Sequence, residues 1–349
     1  MESFISFNLQ HHFYIAAFLL FVPFAILWNV LRRRKASSFD SENIQNSIEI
    51  LPVHFTLIDY GKALISWIFL FMRVFSLKPG LYHIGELDEK APLLVTANNY
   101  LTVFLLARRL RNRKVRLLIT DTEGINVWCS AGEGRFSAKE IIEKATKCGL
   151  LTGKGKVRMI LPKFSLAGVN LEELRKHGIN PVIGPLYAKD VPSFLDHNKL
   201  ENQTDDRVHF GLQSRTFTAL PSAVQFFYYF LGVYVISLGY VSPDIIWIAM
   251  GLAFVYPLLF PWLPGKLFSV KGLSLALAVS ILGIFIHHSG VEEKMLLVVF
   301  IFATSIFIAL SYTGNSAVSN YTSVRRETAR FLPVVVILYV MLIPIKLLS

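Results

Sequence analysis

Hydrophobic and polar positions fall into three regimes along the chain. Residues 12–31, "HFYIAAFLLFVPFAILWNVL", form an uncharged apolar run closed by Arg32, Arg33, Arg34 and Lys35. From Phe217 to Leu348 apolar stretches recur with short polar breaks, giving five candidate spans near 217–239, 245–263, 270–288, 295–312 and 331–348. Length supports the third of these least. Between the two apolar regions, from Pro92 onward, short apolar strands alternate with amphipathic helices: "PLLVTA", "YLTVFLLARRLRN", "VRLLIT", "SAKEIIEKATKCG", "VRMILP", "NLEELRKHG", "PVIG" and "VPSFLD". Such alternation predicts an α/β fold, a parallel sheet covered by helices. The expected organisation is an N-terminal transmembrane anchor (1–35), a linker with an interfacial helix (36–78), a soluble domain (79–215) and an all-α membrane domain of five helices (216–349).

Composition agrees with this division. Of 349 residues 53% are hydrophobic and only 17% charged, with a mean hydropathy of +0.49, far more apolar than a soluble protein. A cleaved signal peptide is the rival reading of the first run, but its basic residues follow the apolar segment instead of preceding it. Basic residues also set an orientation. With Arg32–Lys35 in the cytoplasm, Arg207, Arg215, Lys266, Lys271, Arg325, Arg326 and Arg330 fall on the same side, and Asp244, Glu292, Glu293 and a single cation, Lys294, on the other. The expected location is therefore the cytoplasmic (inner) membrane, multi-pass, with the soluble domain facing the cytoplasm. A span at "GKALISWIFLFMRVFSL" (61–77) would reverse this agreement, so that segment reads as a helix lying on the inner leaflet. The net charge of +11 is met by cytoplasmic loops and a basic helix end at "ARRLRNRK" (107–114), with a docking face for an acidic protein as the alternative. No nucleic-acid partner is expected.

Ligands of open α/β sheets bind outside the carboxyl ends of the strands. The loops expected there are "TANN" (96–99), "DTEGINVWCSAGEG" (121–134) and "PKFSLAG" (162–168). The second is much the longest, and its length points to function. Its end is marked by a capping box at Ser137 and Glu140 and a terminating Gly149 after the next helix. It carries Cys129, one of two cysteines; the other, Cys148, reads as a small packed hydrophobe. Two cysteines nineteen apart match no zinc or disulfide framework and cannot hold a four-iron cluster. Cys129 can be a buried small residue, a nucleophile, a redox sensor or a soft-metal ligand. His83, His177, His197 and His209 form no recognisable catalytic motif with it, which leaves metal ligation attractive.

The segment "NVWCSAGEG" resembles the cap-helix signature of the mercury-methylation corrinoid protein family (HgcA). The likeness extends through "PGLYHIGELDEKAPLLVTANNYLT", "LLITDTEGINVWC", "MILPKFSLAGV" and "VIGPLYAKDVPSFLD" to "SYTGNSAVSNYTS" (311–323). The family's soluble domain is in turn similar to the corrinoid domain of the corrinoid iron-sulfur protein large subunit of the acetyl-CoA pathway. The resemblance implies a Rossmann-like domain binding a cobalamin-type corrinoid, with Cys129 as lower axial ligand to cobalt. The wall beneath the ring is then Asn126, Val127, Trp128, Ser130, Ala131 and Gly132, with Thr96 and Asn98 close by; turn and cap chemistry is the plainer reading of the last two. The implied activity is that of a corrinoid-dependent methyltransferase passing a methyl group from cobalt to inorganic mercury, with a methyl-tetrahydrofolate-linked donor. This chain has no iron-sulfur cluster of its own, so the electron donor is a ferredoxin-like protein with two four-iron clusters (HgcB-type). No Asp-x-His-x-x-Gly is present, so the widespread histidine-ligated cobalamin pattern is missing. The chain departs from the family pattern at Ser130 for alanine, Glu133 for lysine, and Arg135 for a small residue or threonine. Those departures keep open a paralogue with another methyl acceptor. A non-catalytic membrane-anchored ligand-binding module is the alternative from a different class, weakened because no Gly-x-Gly-x-x-Gly follows a strand. In the membrane part, "TGNS" (313–316) reads as a functional loop or broken helix, or as small polar helix packing.

Overall fold

The structure, a computed structural model, describes residues 48–153, 155–197, 208–237, 241–286, 290–316 and 321–348. The expected anchor at 12–31 lies outside the described residues. The chain divides into two compact units, the boundary falling between Val208 and His209.

The first unit is built on a six-stranded sheet: β1 (Glu49–Ile50), β2 (Gly80–Ile84), β3 (Leu93–Ala97), β4 (Val115–Thr120), β5 (Val157–Leu161) and β6 (Ile179–Ile183). Their spatial order is β1-β2-β4-β3-β5-β6. The four strands expected from sequence are present and mutually parallel. Two strands were not expected. β2 runs antiparallel to β4, with Tyr82 opposite Leu117, and β1 pairs with β2. The sheet is therefore mixed, and residues 48–51 are part of this unit, with Leu51 buried in its core. β2 escapes a periodicity argument because four of its five residues, His83 among them, are buried, so no alternation shows.

Strand geometry sends alternate side chains to opposite faces. Leu93, Val95, Ala97 and Leu118 meet helix α4 (Ala138–Lys147) and helix α5 (Leu171–Lys176) on one side. Leu94, Leu117 and Ile119 meet helix α2 (Tyr100–Leu110) and helix α6 (Val191–His197) on the other. Each fully buried Leu or Ile stabilises by about 2 kcal/mol, whereas exposed pairs such as Lys176–Glu172 contribute a few tenths at most. The two apolar layers thus hold the unit together. Between β1 and β2 lies helix α1 (Leu57–Ile68), started by a reciprocal Thr56–Asp59 capping box. It stops well short of the expected 61–77 and is followed by a tight turn at Leu70–Met72 and a left-handed Arg73 (φ 52°).

The second unit is helical: α7 (Leu212–Ile236), α8 (Asp244–Leu259), α9 (Phe268–Ile286), α10 (Val291–Asn315) and α11 (Tyr321–Leu348). All five expected helices are present, and four are long and apolar enough to cross a membrane. The short one is the second, not the third. α8 has 16 residues, about 24 Å at 1.5 Å per residue, against about 30 Å of hydrocarbon. The sequence "PWLPG" after Phe260 ends it, and two cations satisfy its last carbonyls. Arg215 bonds the Leu258 carbonyl, and Lys271 Nζ donates to the carbonyls of Phe260 (2.9 Å) and Leu263 (2.5 Å). Across the same turn, Glu327 accepts from the Ser269 amide in the first turn of α9. Charges of the favourable sign thus close both ends of the α8–α9 connection.

Candidate functional site

The four parallel strands run in the spatial order β4-β3-β5-β6, so the chain reverses its direction of travel across the sheet at β3. Open α/β sheets bind ligands at such a reversal. The loops after β3, β4 and β5 meet there, and the long one contains a helix that its composition did not reveal: α3 (Val127–Gly132). α3 packs on β3 and on the tight turn Lys163–Ala167 that follows β5. Cys129 therefore sits on a helix in the first turn. Its amide donates to Oδ1 of Asn126, the N-cap, at 2.9 Å.

The helix sorts the expected site residues. Val127, Ser130 and Ala131 face the core and are buried. Ser130 Oγ donates back to its own helix, to the Asn126 carbonyl at 2.6 Å, so its hydroxyl adds nothing to the outer surface. Trp128, Cys129 and Gly132 occupy the less buried side, and Trp128 meets Phe164 edge to face with centroids 5.2 Å apart. Close approach of the two loops requires Gly168, where a Cβ would lie 2.2 Å from the Ala131 carbonyl oxygen.

Thr96 and Asn98 are buried beside this helix. Asn98 follows the plainer reading. Its Oδ1 accepts from the amides of Thr122 (3.1 Å) and Gly124 (2.9 Å), and its Nδ2 donates to Asp121 (3.1 Å). It folds the loop that leads into α3. Its neighbour Asn99 caps α2 and donates to the Gly124 carbonyl. Of the capping box expected at α4, half forms: Ser137 caps, but the Glu140 carboxylate accepts from the Asp121 amide instead. Burial pushes that carboxyl above its ordinary range.

Glu123, which sequence reasoning did not single out, has φ 55° in a region that non-glycine residues seldom adopt. It pairs with Arg135 and, at 3.8 Å, with Arg73. Arg135 also holds Glu133 at 3.0 Å. The departures at Glu133 and Arg135 are thus one compensated ion pair at the end of α3. Around the thiol of Cys129, burial raises the pKa most, the Asn126 side chain lowers it, Glu133 raises it and Arg73 lowers it. Cys148 lies at the end of α4, half-buried against the core. Among the described residues no group of three or more His, Cys, Asp or Glu side chains is placed to hold a metal ion.

Residues 74–185 match the family model of the CO dehydrogenase/acetyl-CoA synthase delta subunit. The chain is 32% identical over 130 residues to the acetyl-CoA decarbonylase/synthase complex subunit gamma of Methanopyrus kandleri, covering 36% of this chain and 27% of that protein. It is 29% identical over 121 residues to the corrinoid/iron-sulfur protein large subunit of Moorella thermoacetica, covering 34% and 27%. The family match falls within the α/β unit, and the similarity to each of the two proteins covers about a third of the chain. The chain spans about a quarter of the length of the curated relatives it matches. The family match begins at Val74, so α1 lies outside it, as do all five helices of the second unit.

Proposed function

We propose that the first unit carries a corrinoid and that the chain acts as a membrane-bound corrinoid-dependent methyltransferase, with Cys129 as lower axial ligand to cobalt and inorganic mercury(II) as methyl acceptor. One observation carries the reading: a soft donor, Cys129, stands on the less buried side of α3, at the sheet's reversal point, and among the described residues no group of three or more His, Cys, Asp or Glu side chains is placed to hold a bare metal ion. A protein that binds a bare metal ion supplies three or four donors; a metal already held in a macrocycle needs only one from the protein. The relatives named for a corrinoid protein and for acetyl-CoA synthesis complexes support the same cofactor. A bound corrinoid would supply a cobalt–carbon bond that can deliver its methyl group to an electrophile.

The chain's own residues have separable tasks. Asn126 fixes the first turn of α3 and with it the Cys129 backbone. Trp128 and Gly132 form the rest of the less buried surface, and Phe164 braces Trp128. Asn98 and Thr96 support the approach from β3. An anionic thiolate donates more strongly than a neutral imidazole, which favours transfer to a soft electrophile. A methyl-tetrahydrofolate-linked donor and a ferredoxin-like protein with two four-iron clusters complete the reading, in a multi-pass inner-membrane protein whose α/β unit faces the cytoplasm.

Absorption spectra of the cobalamin-reconstituted chain test the ligand. The spectrum of Cys129→Ala is expected to differ from that of the native protein; superimposable spectra would remove Cys129 from the axial position. A second acceptor class has a specific observation behind it, the Glu133–Arg135 pair where the mercury family has lysine and a small residue or threonine. Methylmercury formation by the purified chain with its electron donor decides between the two acceptors.

A further inference from the structure

Helix α1 turns its polar side inward. Asp59 faces the neighbouring α2, where Tyr100 donates to it, and Ala63 and Ser66 on the same side of α1 are buried. Leu57, Ile58, Leu64 and Ile65, spaced as one helical face, are 90%, 69%, 51% and 41% exposed. A soluble helix has the opposite arrangement, because each exposed Leu or Ile forgoes its burial. The inward face is fixed: Tyr60 meets Phe104 edge to face at 5.3 Å, and Tyr100 donates to Asp59. The apolar face is therefore committed to the outside.

We propose that this face lies on the surface of a lipid bilayer containing anionic lipid. Four observations favour lipid over a protein partner. The same chain carries four helices long and apolar enough to cross a membrane, so a bilayer is always within reach of the tethered unit. At twelve residues, about 18 Å long, α1 is too short to span and suited to lying flat. Cations border the apolar face: Lys62 on α1, and Arg108 and Arg109 on α2, with Arg108 seated 5.7 Å from the Tyr60 ring and the exposed Leu105 on the same side of α2. The one carboxylate of α1, Asp59, is engaged by Thr56 and Tyr100 and held below the usual carboxylate range, first by the Thr56 amide. A hydrophobic face rimmed by cations is what an anionic lipid surface attracts. The turn that follows α1 ends at Arg73, which pairs with Glu123 of the loop leading into α3, so the seating of α1 sets the height of the candidate site above the bilayer. None of this depends on what Cys129 binds.

The test is nitroxide accessibility in the full chain, reconstituted into phosphatidylcholine vesicles with and without phosphatidylglycerol. Labels are placed at Leu57→Cys, Leu64→Cys and, as a water-exposed control, Leu87→Cys, with Cys129 and Cys148 replaced by serine. Oxygen is expected to reach positions 57 and 64 several-fold better than a water-soluble nickel reagent, more so with phosphatidylglycerol, while position 87 shows the reverse preference and reports a folded domain. Water-like accessibility at 57 and 64 overturns the proposal. Labels immobilised and reached by neither reagent overturn it too, in favour of a second copy or another protein covering the face. Indifference to phosphatidylglycerol overturns the assignment to anionic lipid.

Discussion

Asn98 shows how much one side chain can organise. Two buried amides, of Thr122 and Gly124, have its carboxamide oxygen as partner, and an unsatisfied buried amide costs about 1–3 kcal/mol. Asn98→Ala is expected to open the 121–126 loop locally, raising its amide exchange at least tenfold while strands β3 to β6 remain protected; unchanged exchange in that loop would show the bonds to be dispensable. Glu140 offers a test by pH. Burial raises its folded pKa above the unfolded value, so the folded state keeps the proton longer. Its stabilising contribution is complete below the unfolded value and is lost as pH rises through the folded one. Glu140→Gln can keep the bond to the Asp121 amide without ionising. The variant should therefore gain in melting temperature relative to the native chain as pH rises from the ordinary glutamate range upward; a constant difference would contradict the sign. Sequence alone located Cys129 and flagged Ser130, Glu133 and Arg135. It did not show that Ser130 turns its hydroxyl inward or that Arg135 pairs with both Glu133 and Glu123, because both depend on where a short helix points.

At the scale of elements, periodicity located the four parallel strands and their helices but passed over α3. Six residues are too few for a helical period to emerge, and only the family likeness pointed to a helix there. In the helical unit, Gly272 and Ala276 of α9 are one turn apart and face Ser305 and Ala309, one turn apart on α10. A Cβ on Gly272 would lie 2.7 Å from the Ser305 carbonyl oxygen and 2.9 Å from the Ala309 methyl. Small residues let membrane helices approach closely where water supplies no driving force. Gly272→Leu should force the pair apart at a cost of about 1–3 kcal/mol, read as a lower unfolding midpoint in detergent. An unchanged midpoint would mean that α9 and α10 tolerate separation. The "TGNS" segment is less of a break than expected: Thr313 is still in the last turn of α10, donating to the Leu310 carbonyl at 2.6 Å.

For the whole molecule, the proposed orientation rests on the distribution of Lys and Arg and is open to direct labelling. In cells carrying a chain whose native cysteines are serine, a membrane-impermeant maleimide should modify Glu292→Cys from outside and Leu87→Cys only after permeabilisation; the reverse pattern would invert the topology. The division into an α/β part and a helical membrane part was legible without coordinates, since it follows from hydrophobic period and run length, which are properties of neighbours in the chain. So was the cysteine in a long loop after a strand. Tertiary structure alone decided the rest. That β2 lies antiparallel beside β4, that Asn98 folds a loop more than twenty residues away, that Gly168 admits the Ala131 carbonyl, and that α1 presents its apolar side outward are all contacts between distant segments. A sequence records which side chains are available. Which of them meet, and which face is left uncovered, is set only when the sheet order and the packing of the helices bring those segments together.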